Sequence, residues 1–461
     1  MDLRSFLYNI PEVRKPSEKK LSFNAKLKWT LIVLVSFFIL ANISLFGLAS
    51  NSLQRFEYLA IILGTDFGSV ISLGIGPIVM ASIIIQLLVG SGILNIDTKT
   101  DEGKRKFQGL QKLGVIVFII FEAIVYVVMG GLQAEPGYAG IVIFQLILGG
   151  LAIMLMDEVT TKWGFGSGVS IFIVAGVAWR LFTALFQFIG ASGENCLIDF
   201  ANTPCAGNIL IIIQSIINGV PKEALLSAAA IIITAGIFLA IVWAQSLRIE
   251  VPLSYDKLRG YSVKWPLQFF YTSNMPVILT AALIANLQLF GGLIENWLGR
   301  PTLLGGFSNG VPISGFSYWL GHSNLLEAVI RGSLQTVQIF QGLTHVLSYM
   351  IISAVFSYFW VKTSGMDESS QAKNILSSGL QIPGFRKDPR VLESILGRYV
   401  MPLTIMGGLA IGLLAGITDT LGALTSGTAI LLAVMITYQL YQRIAQDHAM
   451  DMHPALKKMV G

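Results

Sequence analysis

The sequence has little charge, two cysteines and four histidines. Charged residues make up 12% of the chain, against about 25% in soluble domains, so a soluble fold would have too little charge to cover its surface. The two cysteines alone cannot hold a metal ion, and the four histidines are scattered along the chain. Walker A and His-Glu-x-x-His motifs are absent from the sequence. We therefore expect no metal, no cofactor and no enzymatic nucleotide hydrolysis.

Apolar residues, by contrast, make up 54% of the chain and are grouped in long runs. Most of these runs are close to the roughly 20 residues that span a bilayer. Ten of them lie near 28–48, 74–90, 112–131, 138–157, 169–189, 224–246, 269–290, 340–361, 400–418 and 423–442. The pattern predicts an all-α polytopic membrane protein with ten transmembrane helices and both termini on one side.

Lysine and arginine are unevenly distributed between the two sides of this arrangement. The side that carries the termini holds 26 of the 31 basic residues. The others are Arg55, Arg180, Lys222, Arg300 and Arg331. By the positive-inside rule the basic side is cytoplasmic, so we expect a multi-pass protein of the cell (plasma) membrane with both termini in the cytoplasm. A single basic loop can equally serve only to meet lipid headgroups.

The N-terminal arm has helical amphipathic spacing that stops at Pro11. Its apolar residues at i, i+3, i+4 and i+7 are Leu3, Phe6, Leu7 and Ile10. This spacing is typical of a short helix on a membrane surface. The first long apolar run is about 20 residues long and lacks a clear small-x-small cleavage site, so we do not expect a signal peptide.

The stretch from Leu53 to Asp66 is apolar but carries Arg55 and Glu57. At about 14 residues it is too short to span a bilayer, which favours a re-entrant segment. Irregular backbone at membrane depth is tolerated only beside protein or a water-filled cavity. The stretch therefore predicts a cavity on the outer side of the protein.

Cys196 and Cys205 both lie in the external loop between the fifth and sixth spans. An external disulfide and two free thiols are both compatible with this position.

The second and seventh spans are each interrupted by a proline. The two interruptions read Gly74-Ile75-Gly76-Pro77-Ile78-Val79 and Ser273-Asn274-Met275-Pro276-Val277-Ile278. Because each span is the second of five, matching breaks indicate two inverted repeats with a functional site at their interface. Two unrelated prolines would give the same pattern. We divide the chain into an amphipathic segment 1–22, an N-terminal half 23–219, a C-terminal half 220–443 and a tail 444–461.

The loops 247–268 and 362–399 are long for a compact bundle and carry several basic residues. Loops of this length are usually functional or disordered. Glycine and proline punctuate them, and we interpret them as folded protrusions that dock an acidic partner. Ribosomal RNA is one candidate.

Two other features of the sequence could take part in chemistry, but the evidence for each is weak. A Gly-x-Ser-x-Gly pattern occurs at Gly306, Ser308 and Gly310, but a hydrolase serine needs a strand–turn–helix setting, and we expect no strand in this external loop. Glu122 and Asp419 are the main acidic residues in the spans. A carboxylate at this depth is a functional candidate, but a hydrogen bond to another helix explains Glu122 equally well.

Several ordered motifs give the chain a close resemblance to the SecY family, the pore-forming (alpha) subunits of the Sec protein translocation channel, in its archaeal form. The resemblance extends over nearly the whole chain. The matching motifs are Leu73-Gly74-Ile75-Gly76-Pro77-Ile78-Val79 with Gln86-Leu87-Leu88-Val89-Gly90-Ser91-Gly92, Phe107-Gln108-Gly109-Leu110-Gln111-Lys112, Gly166-Ser167-Gly168, Arg248-Ile249-Glu250-Val251-Pro252, Tyr271-Thr272-Ser273-Asn274-Met275-Pro276-Val277-Ile278-Leu279 and Ile382-Pro383-Gly384-Phe385-Arg386.

The resemblance implies a clamshell of two five-helix halves around a pore whose waist is a ring of apolar residues. By motif the ring is Ile75, Val79, Val169, Ile173, Ile278 and Leu432. Two pairs within it are spaced i, i+4, so that each pair lies on one helical face. A purely apolar constriction excludes water and ions by dewetting.

The same resemblance implies a plug and a lateral gate towards lipid. The plug would contain Leu53, Arg55, Phe56, Glu57, Ile61, Ile62 and Leu63. The gate, between spans two/three and seven/eight, would contain Met80, Glu122, Asn274 and Asn286. Met80 stands where the family usually has threonine, which changes the hydrogen bonding expected at the gate.

The implied activity is translocation of secretory polypeptides and lateral release of signal sequences and membrane segments into lipid. The implied partners are SecE, an archaeal beta subunit, precursors with signal sequences, and a translating ribosome docked on Arg259 and Arg386. The main alternative is a secondary transporter of a small solute. That class predicts paired ionisable residues near the midplane, where this sequence has apolar residues. A membrane hydrolase using Ser308 is the other alternative.

Overall fold

The structure is a computed structural model, and it describes residues 12–17, 21–49, 68–90, 92–96, 100–129, 131–190, 194–198, 200, 203–255, 262–308, 311–378, 380–381 and 388–452. Helices dominate this part of the chain. In chain order the elements are α1 (Phe23–Ala41), α2 (Gly76–Gly90), α3 (Asp101–Val128), α4 (Ala139–Trp163), α5 (Gly168–Phe186), α6 (Asn208–Ile217), α7 (Pro221–Ser246), β1 (Arg248–Tyr255), β2 (Ser262–Gln268), α8 (Met275–Leu298), β3 (Gly306–Ser308), β4 (Val311–Ser314), α9 (Gly315–Leu320), α10 (Leu325–Arg331), α11 (Thr336–Thr363), α12 (Glu368–Ser377), β5 (Leu380–Gln381), α13 (Pro389–Thr420) and α14 (Gly427–Met452).

Eight helices in the described residues are long and apolar enough to cross a membrane: α1, α3, α4, α5, α7, α8, α11 and α13. The protein is therefore a multi-pass helical membrane protein. The remaining predicted spans coincide with α2, which has 15 residues, and with α14, which has 26 residues. Gln439 and Gln442 interrupt the apolar run of α14.

Glycines allow α13 to pack closely against α11. Gly408, Gly412 and Gly416 are spaced four residues apart on one face of α13. A Cβ added at Gly412 would lie 2.5 Å from the carbonyl oxygen of Tyr349, and one added at Gly416 would lie 2.8 Å from the Cα of Val346. Such spacing of small residues brings the backbones of membrane helices together.

The two long loops meet in one small sheet. Strands β1 and β2 form an antiparallel hairpin with Arg248 opposite Gln268 and Ser254 opposite Ser262. Strand β5, which belongs to the second loop, pairs antiparallel with the end of β1. Val251 and Leu267 from the hairpin are buried against Leu392 and Leu396 of α13. The described parts of the loops are folded, and the strands were not expected from the sequence.

The external loop that carries the Gly-x-Ser-x-Gly pattern also contains strands, so the expectation of no strand there was wrong. Ser308 ends β3, which pairs antiparallel with β4. Gly310 lies outside the described residues. Because β3 leads into a second strand, Ser308 lacks the strand–turn–helix setting that a nucleophilic serine requires.

Candidate functional site

Two backbone breaks of the same geometry begin α2 and α8. Gly74 has φ of +54° and Ser273 has φ of +62°, and Ser273 has the only positive φ of any non-glycine residue in the described part of the chain. Each lies three residues before the proline of its helix, Pro77 or Pro276. The amide of Gly74 donates to the carbonyl of Ile71 at 2.8 Å, and that of Ser273 donates to Phe270 at 2.9 Å. The two prolines therefore share a local turn.

These breaks place Val79 and Ile278 at equivalent positions, two residues after each proline. The amide of Val79 donates to the carbonyl of Ile75 at 3.0 Å, and the amide of Ile278 donates to the carbonyl of Asn274 at 3.2 Å. Both side chains are buried, with 4% and 5% of their surface exposed. The helix starts thus direct one apolar side chain from each half into the same region.

Five of the six predicted ring residues line one cavity. We call this set the constriction: Ile75, Val79, Ile173, Ile278 and Leu432. They come from four helical regions, the two breaks, α5 and α14, and all belong to the main buried core. The sixth predicted residue, Val169, is half-buried in the first turn of α5 and does not line this cavity. Its amide donates to the carboxylate of Asp157 at 2.9 Å.

The far wall of the cavity is polar and contains a cluster that sequence reasoning missed. His345 contacts Asp419, with 3.4 Å between Nε2 and Oδ2, and its Nδ1 lies 2.7 Å from the carbonyl oxygen of Leu320. His322 lies beside His345, with ring centroids 5.8 Å apart. The backbone amide of Thr428 donates to Asp419 Oδ1 at 3.0 Å, and the Thr428 hydroxyl donates to Oδ2.

Although the histidines are scattered along the chain, α11 and the α9–α10 connection bring two of them, His322 and His345, together in space. Withdrawal from water lowers the pKa of His322 below its usual value, an effect that the charge of Asp419 opposes and His345 reinforces. Within the described residues, no group of histidine, cysteine and carboxylate side chains is arranged to hold a metal ion.

Of the predicted gate residues, Met80, Glu122 and Asn286 belong to α2, α3 and α8, and Asn274 immediately precedes α8. Leu289 and Leu293 of α8 are buried in a core that otherwise comes from the first half of the chain. Asn296 of α8 donates to the carbonyl of Met129, after the end of α3, at 2.8 Å. The interface between these helices is therefore mainly apolar, with one polar link at the end of the helices.

Glu122 is fully buried in α3, and its carboxylate oxygens have no hydrogen-bond partner among the described residues. Asn286 donates to the carbonyl of Ala282 at 2.8 Å, while its side-chain oxygen is also unpaired there. Met80 is half-buried against the main core. Asn274 immediately precedes α8 and accepts a hydrogen bond from the Ser273 hydroxyl at 3.4 Å. Among the described residues, Glu122 therefore has no hydrogen bond to another helix.

The other predicted sites fall partly outside the described residues. That is the case for the N-terminal amphipathic residues, for Arg259 and Arg386, and for the whole predicted plug: Leu53, Arg55, Phe56, Glu57, Ile61, Ile62 and Leu63. Cys196 and Cys205 are joined in a disulfide, with their Cα atoms 5.3 Å apart. Both cysteines are buried in the loop before α6.

Fold and site together define a helical membrane protein with a central cavity that apolar side chains from both halves of the chain narrow. The SecY family model matches residues 69–441. The protein translocase subunit SecY of Methanothermobacter thermautotrophicus is 40% identical over 98% of this chain and 97% of its own length. The chain therefore belongs to the SecY family.

Two solved structures support the assignment to the SecY family. A structure of a SecY protein, described in terms of a plug domain that stabilises the closed state of the translocation channel, is 36% identical with a TM-score of 0.82, covering 99% of each chain. Sec61 in the canine ribosome-channel complex from the endoplasmic reticulum is 36% identical with a TM-score of 0.79, again over 99% of each chain.

Proposed function

We propose that this chain is the central subunit of a protein-conducting channel, with polypeptides passing through the constriction. The observation that carries the proposal is the pair of equivalent breaks, which direct Val79 and Ile278 into one apolar narrowing. Apolar walls of this kind exclude ions by dewetting and still yield to a passing chain. A solute transporter would need paired ionisable groups near the bilayer midplane. The constriction has apolar side chains instead, and the His345–Asp419 pair of the same cavity lies at the end of α13.

The proposed architecture has ten transmembrane helices, with α2 and α14 completing the set of eight. It has two inverted halves, 23–219 and 220–443, flanked by the segment 1–22 and the tail 444–461. Support comes from the matched positive-φ residues Gly74 and Ser273. With 26 of 31 basic residues on the side of the termini, both termini are cytoplasmic. The stretch 53–66 acts as the plug of the outer cavity.

Signal sequences open the channel sideways in this proposal. A signal core of about ten apolar residues gains roughly 5 kcal/mol on entering lipid, at about 0.5 kcal/mol each. That is close to the free energy that shifts a two-state gate from mostly closed to mostly open. The mainly apolar contact between α8 and the α2–α3 pair is the surface that the signal would separate, next to Met80, Glu122, Asn274 and Asn286.

The driving force comes from partners, because the sequence has no nucleotide-hydrolysis motif, and the subunit itself is not an enzyme. We propose a translating ribosome that docks on the joined loops through Arg259 and Arg386. The likeness to Sec61 in a ribosome-channel complex and the basic character of the loops support this partner. SecE and an archaeal beta subunit complete the proposed complex in the lipid membrane.

A crosslink tests the proposal. Val79→Cys is introduced with Cys196 and Cys205 replaced, and a ribosome-bound secretory chain with one mid-chain cysteine is stalled in the channel. We expect a disulfide adduct that depends on a functional signal sequence. Absence of adducts at Val79→Cys, Ile173→Cys and Ile278→Cys with the stalled complex bound would overturn the channel and favour the transporter.

A further inference from the structure

A second, small cavity lies where the end of α7, the end of β2, the turn before α8 and the middle of α14 meet. Amide and hydroxyl side chains dominate its wall. We call it the glutamine site, after Gln245, Gln268, Gln439 and Gln442, with Ser273 and Tyr438 beside them. In the proposed topology this position is on the cytoplasmic side of the constriction.

Gln245 is the unusual member of the glutamine site. It is 7% exposed, and neither its Nε2 nor its Oε1 has a hydrogen-bond partner among the described residues. A buried amide without partners is unfavourable, whereas an apolar side chain of similar shape would be nearly neutral. Gln439, in contrast, donates from Nε2 to the Ser273 hydroxyl. Gln245 thus offers both a donor and an acceptor to a ligand within the cavity.

The helical register of α14 connects the glutamine site to the constriction. Met435, Gln439 and Gln442 follow Leu432 by three, seven and ten residues, which places all four on one face of the helix. With a rise of 1.5 Å per residue, Gln439 and Gln442 lie roughly 10 Å and 15 Å from Leu432 along the helix axis. A chain that approaches Leu432 from the cytoplasm along this face meets the glutamines first.

The chemistry of the wall defines the ligand. A glutamine amide carries an acceptor and two donors, so it can pair with both the N–H and the C=O group of a peptide bond. Carboxylates or ammonium groups would select substrates by charge, and an apolar wall would retain apolar segments. Neutral amides bind the main chain whatever its side chains are, as a channel for many polypeptides requires.

We infer that the glutamine site binds main-chain amide groups of an extended polypeptide just before it reaches the constriction, with Gln245 as the buried anchor. The inference rests on the proposed function. It adds a polar, sequence-independent contact to an otherwise apolar path.

The first test is a crosslink in the complete channel complex. Gln442→Cys and, as control, Tyr441→Cys are compared in the background without Cys196 and Cys205. Tyr441 is the neighbouring residue and is 68% exposed on another face of α14. With a stalled secretory chain carrying one cysteine, we expect an adduct at Gln442→Cys and none at Tyr441→Cys. Equal adducts at both positions would overturn the site.

The outcome at Val79→Cys separates this inference from the proposed function. An adduct at Val79→Cys without one at Gln442→Cys rejects the glutamine site and leaves the channel intact. Absence of adducts at both positions rejects the glutamine site as well, and it removes one of the adducts on which the channel proposal depends.

The second test measures how long a stalled chain stays in the channel. Loss of one or two neutral hydrogen bonds should shorten that lifetime about threefold to tenfold in Gln245→Leu, and Gln245→Asn should restore part of it. A substrate whose segment at this level is a proline repeat lacks N–H donors, so its lifetime should respond less to Gln245→Leu. An unchanged lifetime for a glycine–serine segment in Gln245→Leu would overturn the inference.

Discussion

The start of α2 and the start of α8 have the same backbone turn but different side chains. The first uses Gly74, which reaches a positive φ with no steric penalty. The second uses Ser273, which is strained in that region but accepts a hydrogen bond from Gln439 and donates one to Asn274. The comparison indicates that the turn itself is what each half needs. A glycine or a hydrogen-bonded serine can supply it.

The most severe test of the comparison is a β-branched side chain at each break. Gly74→Val and Ser273→Val should each lower the free energy of unfolding by about 2 kcal/mol, because valine is strongly disfavoured at positive φ. Thermal unfolding in detergent measures this effect. Gly140→Val is the control, since an added Cβ there meets no atom within 4 Å. A large loss at only one break would show that the turns are not equivalent.

The next test replaces the two equivalent side chains of the constriction. Val79→Ser and Ile278→Ser should each raise ion leakage of reconstituted vesicles about tenfold, because losing a buried apolar side chain eases wetting by at least about 1.5 kcal/mol. Val117→Ser, at a position 55% exposed on α3, should leave leakage unchanged. If only one of Val79→Ser and Ile278→Ser increases leakage, a single half of the chain forms the seal.

A reciprocal exchange of the two turn residues should have a smaller effect. Gly74→Ser should destabilise the protein by about 1 kcal/mol, since serine enters the left-handed region without the partners that Ser273 has. Ser273→Gly relieves strain but removes the bond from Gln439, so its net effect should stay within about 0.5 kcal/mol. Unfolding midpoints of the two single variants and the double variant provide the measurement. A Ser273→Gly loss larger than that of Gly74→Ser would contradict the interpretation.

The smallest expected effect is on pH dependence at the polar wall of the main cavity. Burial lowers the pKa of His322 below its usual 6.5, with Asp419 opposing and His345 reinforcing the shift. The unfolded state therefore binds a proton first, and stability that is complete above about pH 6.5 falls on acidification below it. His322→Gln should flatten the decline in unfolding midpoint below that pH. An unchanged slope would exclude His322 as its source.

Much of the fold could be predicted from hydropathy, because lipid requires long apolar helices whose backbone bonds are internal. That Ile75 and Val79 lie on one face could be predicted in the same way, because their i, i+4 spacing determines which side chains share a helical face. The strands β1 and β2 were missed although Ile249, Val251 and Leu253 alternate with other residues, a period that indicates a strand.

The polar wall and the glutamine site could not be predicted in the same way. His322, His345 and Asp419 come from different helices and connections, and no spacing along the chain links them. Gln245 and Gln439 likewise meet only because α7 and α14 pack together. Contacts of this kind depend on helix packing rather than on local pattern. The unpaired amide of Gln245 has no sequence signal at all.

The glycine face of α13 has a mechanical consequence. Gly408, Gly412 and Gly416 bring the α13 backbone so close to α11 that sliding of one helix along the other would force side chains into main-chain atoms. Along the glycine face these two helices therefore move together, and β1–β5 pairing links the loop before α13 to the β1–β2 hairpin between α7 and α8. A push on the paired loops would therefore reach α11 and α13 together rather than either helix alone.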